Sequence, residues 1–511
     1  MGKRLRKYGD YNAKRQRRGG PQPARQEARR PRLKRKFCLF FGYDGRNFSG
    51  MQKQTENIRT VESVLEAALR EVGAVPEEMM KPGDFGWSRA ARTDKGVHAA
   101  CQVVACKLSM GLVSDESKLL CETEEGGGER TAEPPHPDDA EDAVDPDPYV
   151  EKILQLYPEQ SPEHARILSW MKRRELAFVS RLKAALPSDI CVHGVQRVSK
   201  QFDARTQCDD RRYEYVIPVD LLAPITWNTH DYPLLKTHPL HALMAADEPV
   251  DLTGEQLDLI SQFKTDRKER YVGKSAPLVR SEEGYTLYPE DLERLQSLFD
   301  QFEGTHRFRN FTSRVSRDDP ALSRYMKDIR VDLEREGKLA KVTLVGQSFL
   351  FNQIRKMVAL VIEVFRGGAP HWAIKDALGE EKRFVHMAPS EGLLLERPSY
   401  HSYNNNRATP PTSNPINLEP QPADALEGDV DGSINAFKRE VLYPIVEGSM
   451  ETAAWLYWKE KINTFPYVSE NFAPPEPTRE QITPEPLTPP DETTDPSPEQ
   501  TTAGLHTSPH V

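Results

Sequence analysis

Nowhere in the 511 residues is there an uninterrupted apolar run of 18. The best candidate, "MVALVIEVF", is broken by Glu363, and no apolar stretch follows the basic start, so neither a membrane-spanning helix nor a secretory leader is expected. Cysteine is scarce. Cys38, Cys101, Cys106, Cys121, Cys191 and Cys208 include no Cys-x-x-Cys pair, so they read as reduced thiols in a soluble intracellular chain. The Met1-Gly2 start lacks the Ser or Thr that N-myristoylation wants, because Arg6 stands in its place.

A uniform charge is missing as well. Residues 1–36 hold 15 Lys and Arg against Asp10 and Glu27, a net +13. Residues 115–151 carry a net −12 and residues 404–511 a net −11, which leaves the remaining body near neutral. The acidic pI of about 5.9 therefore belongs to appendages and does not argue against a nucleic-acid ligand.

Secondary structure can be read in blocks. "KFCLFFGYDG" reads as a strand, and "TVESVLEAALREVG" as a helix with Thr60 as N-cap and Gly73 beyond its end. "CQVVACKL" reads as a second strand. The acidic, Pro- and Gly-rich residues 112–150 cannot build a core and read as a disordered insertion. Order is expected to resume with the helix "ELAFVSRLKAAL" and the strands "ICVHGVQRV" and "RRYEYVIP". Residues 222–285 read as a second insertion with little periodicity. "DIRVDLE" and "LAKVTLV" form a hairpin around residues 335–338, followed by a helix with an apolar stripe of Ile354, Met357, Val358, Val361, Ile362 and Phe365. Two amphipathic pieces around Phe437 and Trp455 follow, and the last 42 residues, with ten prolines, should not pack. The chain thus divides into a basic arm (1–36), a first half (37–220), a second half (221–403), a helical extension (404–469) and a disordered tail (470–511).

The segment with chemical content is "WSRAARTDKGVHAACQVVA". Asp94, followed by Lys95-Gly96, is a turn residue on its face, since Asp favours turns and Gly supplies the unusual dihedral. Its surroundings add to that: arginines lie on several other segments, and Tyr213 and Tyr215 are two apart on one strand and hence on one face. A carboxylate kept ionised by a cation can act as a nucleophile.

These residues resemble the TruA-type tRNA pseudouridine synthase family, and "RAARTDKGVHA" is most similar to its eukaryotic, fungal-type tRNA pseudouridine synthase 1 branch. Further matching blocks are "YDGRNFSGMQKQ", "LPSDICVHGVQRVSKQFDARTQCDDRRYEYVIP", "FEGTHRFRNFT", "GQSFLFNQIRKMV" and "APSEGLLLERPSY", which cover most of residues 37–403. The resemblance implies an α+β pseudouridine synthase fold of two ferredoxin-like halves sharing a central antiparallel sheet, with RNA in the cleft. It gives Asp94 the role of nucleophile, Arg355 that of its cationic partner, and Tyr213 that of a ring stacking on the flipped base or taking the proton from carbon 5. Arg92 and Arg205 would contact RNA, and Leu393 and Leu395 would form the apolar wall. His98 is given no chemical step and reads as structural.

No cofactor is required by that chemistry. Some fungal members are described as zinc-containing, which leaves a structural zinc open, although the sequence shows no paired-ligand spacing. The implied partner is tRNA, with small nuclear RNA and mRNA as further substrates. The implied compartment is the nucleus, and the expected oligomeric state is a monomer. Two alternatives remain: a sister branch acting on the anticodon stem-loop, which a Cys-Gly pair in place of Ala90-Ala91 would favour, and a non-catalytic RNA-binding protein of the same fold.

Overall fold

The computed structural model describes residues 35–110, 162–224, 250–271, 285–405 and 430–472, apart from residues 55, 56, 77, 78, 80, 314, 450, 451, 465 and 466, together with residues 246, 248, 416 and 418. The basic arm up to residue 34, the acidic insertion 112–150 and the tail beyond 472 lie outside the described residues. Among the described residues, no helix is long and apolar enough to cross a membrane.

The elements in chain order are β1 (Lys36–Tyr43), α1 (Val61–Glu71), β2 (Ser88–Arg89), β3 (His98–Lys107), α2 (Pro162–Ala185), β4 (Ile190–Val198) and β5 (Arg211–Pro218). They continue with α3 (Gly254–Tyr271), α4 (Pro289–Asp300), β6 (Gly304–Arg307), β7 (Ser323–Glu334), β8 (Leu339–Gly346), α5 (Gln353–Phe365), α6 (Ala373–Leu378) and β9 (Leu393–Pro398). The extension contributes α7 (Val430–Phe437), α8 (Tyr443–Ser449), α9 (Ala453–Thr464) and α10 (Tyr467–Phe472).

All nine strands form one sheet in the order β4-β1-β3-β9-β5-β8-β7-β6, with β2 pairing β3 off this path. Every neighbouring pair is antiparallel except β3 and β9, which run parallel where the two halves meet. This is the α+β architecture with a central, mostly antiparallel sheet. The parallel seam has a functional consequence: β3 and β9 begin side by side, so the loop before β3 and the residues opening β9 emerge at one point. There β5 pairs with β9, placing Tyr213 opposite Leu395 and Tyr215 opposite Leu393.

Local rules account for the elements. Thr60 caps α1 by accepting from the Ser63 amide while the Ser63 hydroxyl accepts from the Thr60 amide. The β7–β8 hairpin turns through left-handed residues Arg335, Glu336 and Gly337 at φ of 52°, 57° and 83°. In two places the helices exceed the sequence expectation. Helix α2 begins at Pro162 rather than near Glu175, because proline suits the first helical position and the charged residues that follow are good helix formers. Helix α3 lies inside the segment read as lacking periodicity. Its start carries a capping box, with Thr253 N–H donating to Gln256 Oε1 at 2.9 Å and Gln256 N–H to Thr253 Oγ1 at 3.3 Å.

The sheet is covered on both faces. One core joins α1, α2, α4, α5 and α9 residues to Tyr213, Tyr215 and Leu395; the other joins α7 and α8 to the opposite side. The extension is therefore part of the core, not an appendage. It grips β5 from behind: Glu214, between the two tyrosines, accepts from Lys438 Nζ at 2.8 Å and from the Tyr443 hydroxyl at 2.9 Å. In front, Trp455 packs edge-on against Tyr215 with centroids 6.3 Å apart.

Glu363, the residue that interrupts the apolar stretch, is 2% exposed. Burial pushes its proton affinity well above the ordinary glutamate value, with a backbone hydrogen bond from Tyr467 and the Arg366 charge opposing. Stability from the protonated form is present below the unfolded value of about 4.3 and is lost as pH rises through the raised folded value. Glu363→Gln should therefore melt higher than the wild type, by a margin wider near about pH 9 than near about pH 6. Equal margins in thermal denaturation at both would show that Glu363 does not titrate in this way.

Candidate active site

Asp94 sits in the loop between β2 and β3, and four buried contacts hold that loop in place. The Gln102 side chain bridges Ala91, accepting from its N–H at 3.2 Å and donating to its C=O at 3.1 Å. Tyr43 and Thr93 share a hydroxyl hydrogen bond of 2.7 Å, and Met51 N–H donates to Thr93 C=O at 3.1 Å. Val97 N–H closes the turn on Asp94 C=O at 3.2 Å. Gly96 takes φ of 80°, the left-handed conformation that only glycine adopts at little cost, and a Cβ there would come within 2.7 Å of Ser390 Oγ.

Behind the turn, Gly45 packs directly on Val97, and a Cβ at Gly45 would overlap the Val97 carbonyl. His98 fixes the same corner: fully buried, it accepts from Gly45 N–H at Nδ1 (3.1 Å) and lies 3.2 Å from Asp44 Oδ1. That is a structural position. Gly45→Ala should displace the turn carrying Asp94 and lower any catalytic rate that depends on this carboxylate by about 10²-fold. A rate equal to wild type would show that the turn tolerates the shift.

The turn faces a cleft of about 870 Å³ walled by Ser49–Gln54, Arg92–Lys95, Tyr213, Phe349–Arg355, Met387 and Leu393. Among the described residues lining it, Asp94 is the one carboxylate, against Lys53, Arg92, Lys95 and Arg355. Arg355 projects from the first turn of α5. Its Nε donates to Ala388 C=O at 2.7 Å while Ala388 N–H donates to Arg355 C=O at 3.1 Å, which fixes the side chain's aim. Burial lowers its proton affinity, and Tyr215, Asp94 and Glu391 oppose that. A guanidinium remains a cation throughout the neutral range.

Tyr213 is 7% exposed and meets Phe349 edge-on, with centroids 4.9 Å apart and planes at 75°. Burial pushes its hydroxyl's proton affinity far up, and Asp94 adds to this. Tyr215, on the same face, is tied instead to Pro389 C=O at 2.8 Å, so only Tyr213 of the pair reaches the cleft.

Of the residues singled out in the sequence, Asp94, Tyr213, Arg355, Arg92 and Leu393 meet at this cleft. Leu395 lies one layer deeper, fully buried beside Tyr213. Arg205 is exposed on a separate loop, whose Asp203 carboxylate accepts from the Arg205 and Thr206 amides at 3.0 and 2.9 Å. Sequence reasoning passed over Phe349 and Asn352. Asn352 lines the cleft at φ of 64°, an uncommon conformation for a non-glycine residue, directly before α5. The aromatic run ahead of the α5 stripe was the available signal.

Among the described residues, no cluster of three or more His, Cys, Asp or Glu could hold a metal ion. Cys101 and Cys106 belong to the cores on opposite faces of the sheet, and His98 is already engaged with Gly45. These side chains do not fit a shared zinc.

The cleft thus gathers one carboxylate, four cations and aromatic rings where β3, β9 and β5 meet. Residues 298–401 match the family model described as tRNA pseudouridine synthase. Three similar proteins are from eukaryotes. The chain is 27% identical over 443 residues to the mouse pseudouridylate synthase 1 homolog, covering 85% of this chain and 74% of that protein. The Kluyveromyces lactis tRNA pseudouridine synthase 1 is 28% identical over 419 residues, 76% of this chain and 63% of that protein. The tRNA pseudouridine(27/28) synthase of Saccharomyces cerevisiae is 27% identical over 387 residues, 72% of this chain and 84% of that protein.

Proposed function

We propose that the protein isomerises uridine to pseudouridine in tRNA, with Asp94 as nucleophile. The observation that carries this reading is that Asp94 is the single carboxylate among the described residues of a cleft that also holds four cations and Tyr213. Carboxylates are poor phosphate contacts, so one placed where an RNA backbone would lie calls for a chemical role, while Lys53, Arg92 and Lys95 suit the phosphates. The target nucleotide leaves its stack and enters between Tyr213 and Leu393. Asp94 adds to the nucleotide at the ribose C1′ or the base, and the N1–C1′ bond breaks. The freed uracil turns, C5 bonds to C1′, the carboxylate is released, the C5 proton passes to solvent and N1 takes one proton up from it. Atoms balance with no co-reactant, as an isomerisation requires.

Arg355 keeps Asp94 ionised and ready to attack, because its charge favours the carboxylate form. Small nuclear RNA and mRNA are further proposed substrates, since this chemistry reads the flipped base and the RNA's shape more than a long sequence. The +13 arm suits nuclear import and RNA contact. Incubating the purified chain with unmodified tRNA and mapping pseudouridine tests the reading: at least one converted uridine is expected, and a fully unmodified product would overturn it.

A further inference from the structure

We infer that Arg211, at the first position of β5, is a positioning residue that locks three loops around the cleft into one unit. The inference rests on the proposed activity for its kinetic arm only. Every donor of this guanidinium goes to a backbone carbonyl. Nε and Nη2 donate to Ala90 C=O at 3.1 and 2.9 Å, and Nη2 also donates to Arg205 C=O at 3.0 Å. Nη1 donates to Cys208 C=O at 3.2 Å and to Gln347 C=O at 2.6 Å.

Each carbonyl belongs to a segment with its own part in the site. Ala90 begins the loop that carries Arg92 and Asp94. Arg205 and Cys208 bound the loop on which Arg205 is exposed to an RNA ligand. Gln347 stands two residues before Phe349, the ring set edge-on against Tyr213. None of the three loops pairs with another as a strand; one planar, five-donor group ties them together, and no carboxylate among the described residues forms an ion pair with it. Arg383, by contrast, is held by the Asp376 carboxylate at 2.7 Å. Two residues from Tyr213, the Arg211 charge lowers the proton affinity of that hydroxyl and so contributes positive potential at the rim. RNA that seats on the Arg205 loop thereby meets a backbone already tied to the Asp94 loop, so docking and the placement of the nucleophile are mechanically linked.

Lysine keeps the charge at this position but has three donors on one atom and cannot span four carbonyls. Arg211→Lys should therefore hold tRNA with affinity within a few-fold while its single-turnover rate falls about 10²-fold, the scale of a misplaced reacting group. Low-millimolar guanidinium, far below denaturing concentrations, should restore part of the rate lost by Arg211→Ala, and an equal concentration of sodium chloride should not. Amide hydrogen exchange in the lysine variant should accelerate together in residues 90–97, 203–208 and 347–352 and nowhere else in the sheet. Wild-type rate and unchanged exchange in Arg211→Lys would overturn the inference, as would a general loss of fold in both variants with no rescue. If the wild type itself makes no pseudouridine, the functional reading falls, and the exchange pattern alone decides whether Arg211 links the loops.

Discussion

Replacing Asp94 by asparagine is expected to lower isomerisation by roughly 10⁴–10⁶-fold, the loss seen when a nucleophile is removed from machinery otherwise intact. Affinity for tRNA should stay within a few-fold, because one carboxylate adds little to an interface held by phosphate contacts. Asparagine matches aspartate in shape, and the loop's anchors at Ala91, Thr93 and Val97 involve the backbone or other side chains, so the fold should be retained. Alanine is the poorer probe, since it removes side-chain volume and polar atoms along with the charge, whereas asparagine removes the charge alone. Binding and single-turnover assays on the same preparation separate the two effects. Turnover within ten-fold of wild type would remove Asp94 from the nucleophile role.

Tyr213 gives the second large effect, and its two substitutions should behave differently. Tyr213→Leu loses the ring proposed to stack on the base and the edge-on contact with Phe349. Loss of base stacking costs about 1–3 kcal/mol, or about 5–150-fold in the rate at subsaturating RNA. Tyr213→Phe keeps both ring contacts. Because burial holds the hydroxyl protonated far above neutrality, the phenolate is not available as a ready base, and the phenylalanine variant should retain activity within a few-fold. If the hydroxyl were the group that removes the C5 proton, the same variant would lose about 10²–10⁴-fold. Tyr213 should also add no break to the pH–rate profile through the neutral range. Wild-type rates in both variants would exclude the ring from the site.

The parts of the fold legible in the sequence were those set by short-range rules. The Thr60 cap, the β7–β8 hairpin and the α5 stripe each depend on residues within a few positions of one another, and each appears where its pattern falls. The α3 helix escaped because its polar sequence hides periodicity, although Thr253 and Gln256 spelled out its start. The extension was legible as helices but not as core: nothing local says that Lys438 and Tyr443 will hold Glu214, 224 and 229 positions away.

The site shows the same division. "RTDKG" announced a turn with a carboxylate, and the resemblance brought Arg355 and Tyr213 to it. The supports of that turn could not be read from spacing, since Tyr43, Gln102 and Gly45 meet it only through the sheet. Arg211 was hidden for a related reason. An arginine whose partners are all main-chain carbonyls has no complementary side chain to betray it in the sequence.

The central claim is that Asp94 drives exchange of the uracil C5 hydrogen for the bond to C1′. A tRNA transcript carrying tritium at C5 of its uridines measures this directly, because forming the new bond expels that hydrogen into water. The account predicts that the wild-type protein releases tritium in step with pseudouridine formed, and that Asp94→Asn, still bound to the same tRNA, releases none above background. Release by Asp94→Asn at the wild-type rate would contradict it.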